Sequence, residues 1–264
     1  MKSKSQILVF DFDGVICNSI HDSFMTALNT YIQVSPDHDL PLDRSLHPGD
    51  VFLFEKSHVD FFNQFSQLMP LANFAEDYFV VIRILEEKKS EEMKNQSRFD
   101  KFKRSISREK LSAYQNIFYD TRQRLQEKDP DSWASLLPPF PGITESIRSL
   151  SGRFVCCIAT SKDHQSVDIL IRKYGIYDCF RPENILDKDF AESKRDHLMR
   201  FHREHDVSYE NILFIDDKVS HLIKVKDLGV QAYLALWGFN TEREHEIAIE
   251  QGFHLLHLEK LNDF

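Results

Sequence analysis

Gln6-Ile-Leu-Val-Phe-Asp-Phe-Asp-Gly-Val15 is the stretch on which the fold turns. Its first half, Gln6–Phe10, is a short continuous apolar run, the pattern of a strand buried on both faces of a parallel sheet. The run stops abruptly at Asp11, and Asp13 and Gly14 follow. Outward from it, three more such runs occur after residue 150: Phe154–Ala159, Ile212–Ile215 and Gln231–Leu236. Each is followed by a polar turn and then by helical spacing, as with Val167, Leu170, Ile171 and Tyr174. Strands alternating with helices imply an α/β fold, a parallel sheet covered on both faces. In such sheets the functional groups gather at the carboxyl ends of the strands.

Between Asn18 and Pro138 the strand signal fades. Phe61, Phe62, Phe65, Leu68 and Met69 have helical spacing, as do Phe74, Tyr78, Val81, Ile82 and Leu85. This segment reads as a mostly α-helical insert whose phenylalanines form its core. Leu136-Leu-Pro-Pro-Phe-Pro-Gly142 marks the return, because its prolines block both helix and central strand. The expected division is therefore 1–17 with 138–264 for the α/β part and 18–137 for the insert. The stretch Lys88–Lys110 holds nine Lys/Arg against four Asp/Glu and reads first as a solvated helix face.

Composition narrows the function classes. The 264 residues are 42% hydrophobic and 28% charged, ordinary for a globular protein, and no apolar run is long enough to cross a bilayer. The apolar stretch Ile7–Phe10 is too short for a signal peptide, so a cytoplasmic location is expected. A formal net charge of −9 argues against nucleic acid as a partner. Cys17, Cys156, Cys157 and Cys179 form no CxxC pair and read as small core side chains.

Three of the four runs end in groups suited to phosphoryl transfer: Asp11 and Asp13, Thr160-Ser-Lys162, and Asp216-Asp217. Lys194 sits between the last two, just before an amphipathic stretch with Leu198 and Phe201. A phosphate monoester is attacked poorly by water, and a carboxylate nucleophile divides the reaction through an aspartyl-phosphate. Asp11 suits that role. Asp13 can protonate the leaving alcohol and then activate water, with Gly14 permitting the turn that brings it round. Four carboxylates in one crevice require cations, and Mg2+ is the natural choice for oxygen donors. Lys194 adds a fixed positive charge for the transferring phosphoryl, and the Thr160 hydroxyl can bind a phosphate oxygen. Taken singly these residues have plainer roles. Asp-x-Asp-Gly can be a turn, Asp216-Asp217, Thr160 and Ser161 helix caps, and Lys194 a surface lysine. Their joint order and placement carry the reading.

These residues resemble the four motifs of the haloacid dehalogenase superfamily, in order: Asp11-Phe-Asp-Gly-Val15, Thr160, Lys194 and Asp216-Asp217. Pro139-Phe-Pro-Gly-Ile143, Thr160-Ser-Lys162 and Leu236-Trp-Gly-Phe239 are similar to the phosphoglycolate-phosphatase-like subgroup. The resemblance implies a Rossmann-like core with a helical cap inserted after the first motif. It also implies Mg2+ held by Asp11, the Asp13 carbonyl and a fourth-motif aspartate, Asp217 first and Asp216 second. His221 stands where the family commonly has a further aspartate. Asp13 argues against the dehalogenase and phosphonatase chemistries of the family, which lack that acid. The activity expected is a magnesium-dependent phosphatase acting on a small phosphorylated metabolite, as a monomer or small homo-oligomer. The rivals are a sugar phosphomutase, a silent binding module on the same fold, and a phospho-accepting receiver domain, which the inserted helices and the Asp-x-Asp spacing disfavour.

Overall fold

The computed structural model describes residues 6–191 and 193–264, so the first five residues of the expected core segment lie outside it. The described chain divides into two compact units. One comprises the residues up to Asn18 with Pro138–Phe264, the other Ser19–Leu137. After β1 (Ile7–Phe10), the chain runs through the second unit, whose regular elements are helical. These are α1 (Ile20–Val34), α2 (Pro48–Ser57), α3 (Val59–Leu68), α4 (Ala75–Glu86), α5 (Gln96–Lys103), α6 (Arg108–Lys128) and α7 (Pro130–Ser135).

Aromatic side chains hold this unit together, as the periodicity predicts. The Phe24 ring lies 5.0 Å from Phe62 and 4.9 Å from Phe65, and Phe79 lies 5.0 Å from Tyr31 and 5.4 Å from Tyr114. Such centroid distances are those of favourable aromatic pairs. The buried Tyr114 hydroxyl is satisfied by donating to the Ala27 carbonyl at 3.0 Å. At the start of α4, Asp77 accepts the N–H groups of Asn73 and Phe74 at 2.8 and 2.9 Å, and Lys103 from the basic stretch pairs with it at 2.5 Å. Lys101, Arg104, Arg108 and Lys110 are exposed, which fits a solvated face for the rest of that stretch.

The other unit continues with α8 (Ile143–Ser151), β2 (Val155–Ala159), α9 (His164–Lys173), β3 (Phe180–Leu186) and α10 (Lys194–His205). Then come β4 (Ile212–Asp216), α11 (Val219–Val225), β5 (Gln231–Ala235), α12 (Glu242–Glu250) and β6 (His254–Leu256). The six strands form one sheet in the order β3-β2-β1-β4-β5-β6, every pair parallel. This is the α/β parallel sheet expected from the four apolar runs, in the Rossmann-like form that the resemblance implies. Two strands went unforeseen. The middle of β3 carries exposed Arg181, Pro182 and Glu183, tolerable because β3 is an edge strand where a missing N–H costs no ladder bond. The other edge strand, β6, has only three residues, too few for a pattern.

Central β1 is flanked by β2 and β4, so the chain first winds outward on one side and then returns to the other. That reversal makes a crevice at the carboxyl ends of β1 and β4. Register sharpens it: Val9 pairs with Phe214 and Phe10 with Ile215, which sets Asp11 beside Asp216. Beneath this end, Val9, Phe214, Leu198, Phe201, Leu222 and Ala248 pack in one apolar cluster without solvent exposure. Close packing of this kind fixes the strand ends that carry the site. Among the described residues no helix is long and apolar enough to cross a membrane. Among the described residues no cysteine is in a disulfide, and Cys17, Cys156 and Cys157 are buried.

Candidate active site

Asp11 leaves β1 at the crevice and is 6% exposed. Its own N–H still donates to the Ile215 carbonyl at 2.8 Å, so the sheet ladder holds its backbone. Its Oδ1 accepts from the Phe12 N–H at 2.7 Å and from the Lys194 ammonium at 2.5 Å. Burial raises the Asp11 carboxyl to about 6, with Lys194 opposing the rise and Asp216 adding to it. Lys194 is the first residue of α10, which carries it into the crevice at 5% exposure. Its Nζ also donates to the Ala159 carbonyl at 2.5 Å and lies 3.8 Å from Asp216 Oδ2. Burial works against its charge, but Asp11 and Asp216 outweigh burial and hold the ammonium above its ordinary value.

The two aspartates after β4 diverge. Asp216, fully buried, accepts the Lys218 N–H at 2.9 Å, and both its oxygens lie 3.0 Å from His221 Nδ1. Burial opposes its ionisation, yet His221 and Lys194 together hold its carboxyl below the ordinary value. Asp217 accepts the Phe239 N–H on Oδ2 at 2.8 Å. Its side chain is clasped between Gly14 and Gly238, and a Cβ at either glycine would overlap it. Burial drives the Asp217 carboxyl well upward; Lys218 opposes this, and Asp216 and Asp11 reinforce it.

Asp13 follows through a tight turn. Gly14 has φ +87° and donates its N–H to the Cys17 carbonyl at 2.8 Å, while the Cys17 N–H donates to Phe12 at 2.8 Å. The Asp13 carboxylate meets the Lys162 ammonium at 3.1 Å on both oxygens. Thr160, at the end of β2, is 1% exposed and accepts the Lys162 N–H on Oγ1 at 3.0 Å. Its hydroxyl hydrogen is therefore left to donate elsewhere. The helix-cap alternative for Thr160 and Ser161 is filled by Asp163, which accepts the Ser166 N–H at 2.8 Å at the start of α9.

One unit thus brings together Asp11, Thr160, Lys194, Asp216 and Asp217, with Asp13 two residues beyond Asp11. Ligand atoms of Asp11, Asp216 and His221 lie within 4.8 Å of one another, a set able to hold a cation. Burial is the main cause that raises Asp11 and Asp217, and the neighbouring carboxylates add to it, so added positive charge fits the crevice. The sequence assigns no individual role to Lys162, His221 or Phe239. Each had a signal, since Lys162 and Phe239 lie in segments similar to the subgroup and His221 replaces a common aspartate. Trp237, two residues before Phe239, donates its indole N–H to the Val15 carbonyl at 3.0 Å, tying the β5–α12 loop to the Asp13 turn.

The parallel sheet thus carries an aspartate, a lysine and paired carboxylates at its switch point. The chain belongs to the haloacid dehalogenase-like hydrolase family, whose sequence profile matches residues 6–223. No curated protein sequence matches it. Solved structures share the fold at low identity. A candidate phosphoglycolate phosphatase from Lactobacillus delbrueckii subsp. bulgaricus is 14% identical with a TM-score of 0.65, over 98% of each chain. A predicted phosphoglycolate phosphatase from Haemophilus somnus is 13% identical with a TM-score of 0.60, over 100% of this chain and 99% of that one. A haloacid dehalogenase-like family protein from Streptococcus pneumoniae is 15% identical with a TM-score of 0.57, over 97% and 95%.

Proposed function

We propose that the chain is a magnesium-dependent phosphatase that hydrolyses a small phosphate monoester through an aspartyl-phosphate on Asp11. The observation that carries this reading is the buried Asp11 carboxylate, held by Lys194 at 2.5 Å, with a second carboxylate two residues on. An Asp11 oxygen attacks phosphorus and the ester oxygen leaves, taking a proton from Asp13. Asp13 then takes a proton from water as that water attacks the aspartyl-phosphate, returning Asp11 and inorganic phosphate. Lys194 and the Thr160 hydroxyl offset the negative charge that gathers on the phosphoryl oxygens.

Asp11, the Asp13 main-chain carbonyl and one carboxylate of the Asp216–Asp217 pair would hold the cation. When bound, it supplies positive charge against the crowded carboxylates and the phosphoryl oxygens. Asp217 is the ligand that family resemblance favours; Asp216 shares a donor cluster with Asp11. Titration calorimetry with Mg2+ on Asp216→Asn and Asp217→Asn separates them, since loss of the direct ligand weakens binding more.

The functional test is release of inorganic phosphate from an aryl phosphate, with Asp11→Asn and a chelator as controls. Multiple turnover lost in both controls supports the reading. Turnover that survives in Asp11→Asn overturns it, and transfer to a second alcohol instead of water makes the protein a phosphotransferase.

A further inference from the structure

We propose that Lys162 is the positioning residue for Asp13, holding its carboxylate in the orientation from which it exchanges protons with the leaving alcohol and with water. The inference rests on the role given above to Asp13. Lys162 lies two residues past Thr160, in the turn between β2 and α9, and its main chain is fixed by the N–H donated to Thr160 Oγ1. Its side chain is 3% exposed, while that of Asp13 is 35% exposed. The asymmetry identifies which partner is the anchor. An ammonium so deeply buried needs a carboxylate beside it, whereas Asp13 has water for an alternative partner.

The contact is also geometrically specific. Nζ is 3.1 Å from both Asp13 oxygens, a symmetric seat that fixes the plane of the carboxylate as well as its distance. Behind the side chain, the main chain of Asp13 is fixed by its bridge to Cys17 and by the Gly14 turn. Asp13 is thus held through both its side chain and its main chain while remaining partly exposed. A proton-transfer group needs such fixing, because a misplacement of about 1 Å can cost about a hundredfold in rate.

A residue that acts only through Asp13 matters most where Asp13 matters most. An alkyl phosphate needs its leaving oxygen protonated; a nitrophenyl phosphate, whose leaving anion is stable, hardly does. The experiment measures kcat/KM of the Mg2+-loaded protein for a series from nitrophenyl to alkyl phosphates. The variants are Lys162→Met, Lys162→Arg, Asp13→Asn and the double variants with Asp13→Asn. Expected for Lys162→Met is a loss of about a hundredfold on alkyl esters and several-fold less on the nitrophenyl ester. Lys162→Arg recovers part of the loss. In the Asp13→Asn background neither Lys162 change slows the enzyme further.

Equal loss across the series, or full additivity with Asp13→Asn, overturns the proposal. If Lys162→Met does not fold, the same two criteria are read on Lys162→Arg. Failure of the underlying reading looks different, because Asp11→Asn would then still turn over.

Discussion

Gly14→Ala is the substitution whose cost the structure specifies most closely. Gly14 has φ +87°, and a Cβ there would overlap the Asp217 carboxylate, which the Phe239 N–H holds in place. Gly229 offers the matched control: φ is +83° and nothing lies within 4 Å of its Cβ position. Both alanines carry the left-handed backbone penalty, roughly 1–2 kcal/mol, and both stiffen the unfolded chain alike. Only Gly14→Ala adds overpacking against an anchored side chain, typically about 1–3 kcal/mol. The difference between the two variants should therefore be about 1–3 kcal/mol, with Gly14→Ala the less stable. Urea denaturation followed by Trp237 fluorescence reads the unit that contains both sites, in a Trp133→Phe background that removes the other tryptophan. Gly14→Ala should also impair turnover, since it displaces Asp217 and the Asp13 turn, while Gly229→Ala should not. Equal stability of the two variants would refute the claim that Asp217 is clasped against Gly14.

Two other outcomes follow from named contacts. Asp77→Ala removes acceptors for the Asn73 and Phe74 N–H groups and the partner of Lys103, which should cost the Ser19–Leu137 unit about 1–3 kcal/mol, read by Trp133 fluorescence; a shift below about 0.5 kcal/mol would contradict the capping role. Burial, with Lys194 adding to it, holds His197 down to about 4 against an ordinary 6.5. The folded form therefore prefers the neutral ring. Its contribution is complete above pH 6.5 and is lost as pH falls toward 4, on the order of 3 kcal/mol in all. His197→Asn should flatten stability against pH across that window, and an unchanged slope would count against a neutral buried ring.

How much of this was legible in the residues depends on the range of the interaction. Strands β1, β2 and β4 announce themselves because both faces are largely buried, which forces unbroken apolar runs such as Ile7–Phe10, while β5 shows through Ala232, Leu234 and Ala235. Edge strands have no such constraint, so Pro182 within β3 hid a real strand. The placement of Asp11, Asp13, Thr160 and Lys194 was legible because each sits at or near a strand end or a helix start. The pairings were not. Lys162 reaches Asp13 across 149 positions and Phe239 reaches Asp217 across 22, and no local pattern encodes either contact. Position in the sequence likewise does not say which of Asp216 and Asp217 turns toward Asp11. That is set by the parallel register of β4 on β1 and by His221, five residues further along.

The central claim is that Asp11 carries the phosphoryl group, and the most direct measurement is acid quenching during turnover followed by mass spectrometry of the peptides. The account predicts one phosphoryl group on the peptide containing Asp11, formed and consumed at rates compatible with turnover and absent in Asp11→Asn. Phosphate release at the same rate with that peptide unmodified, or with the phosphoryl group on another residue, would contradict it.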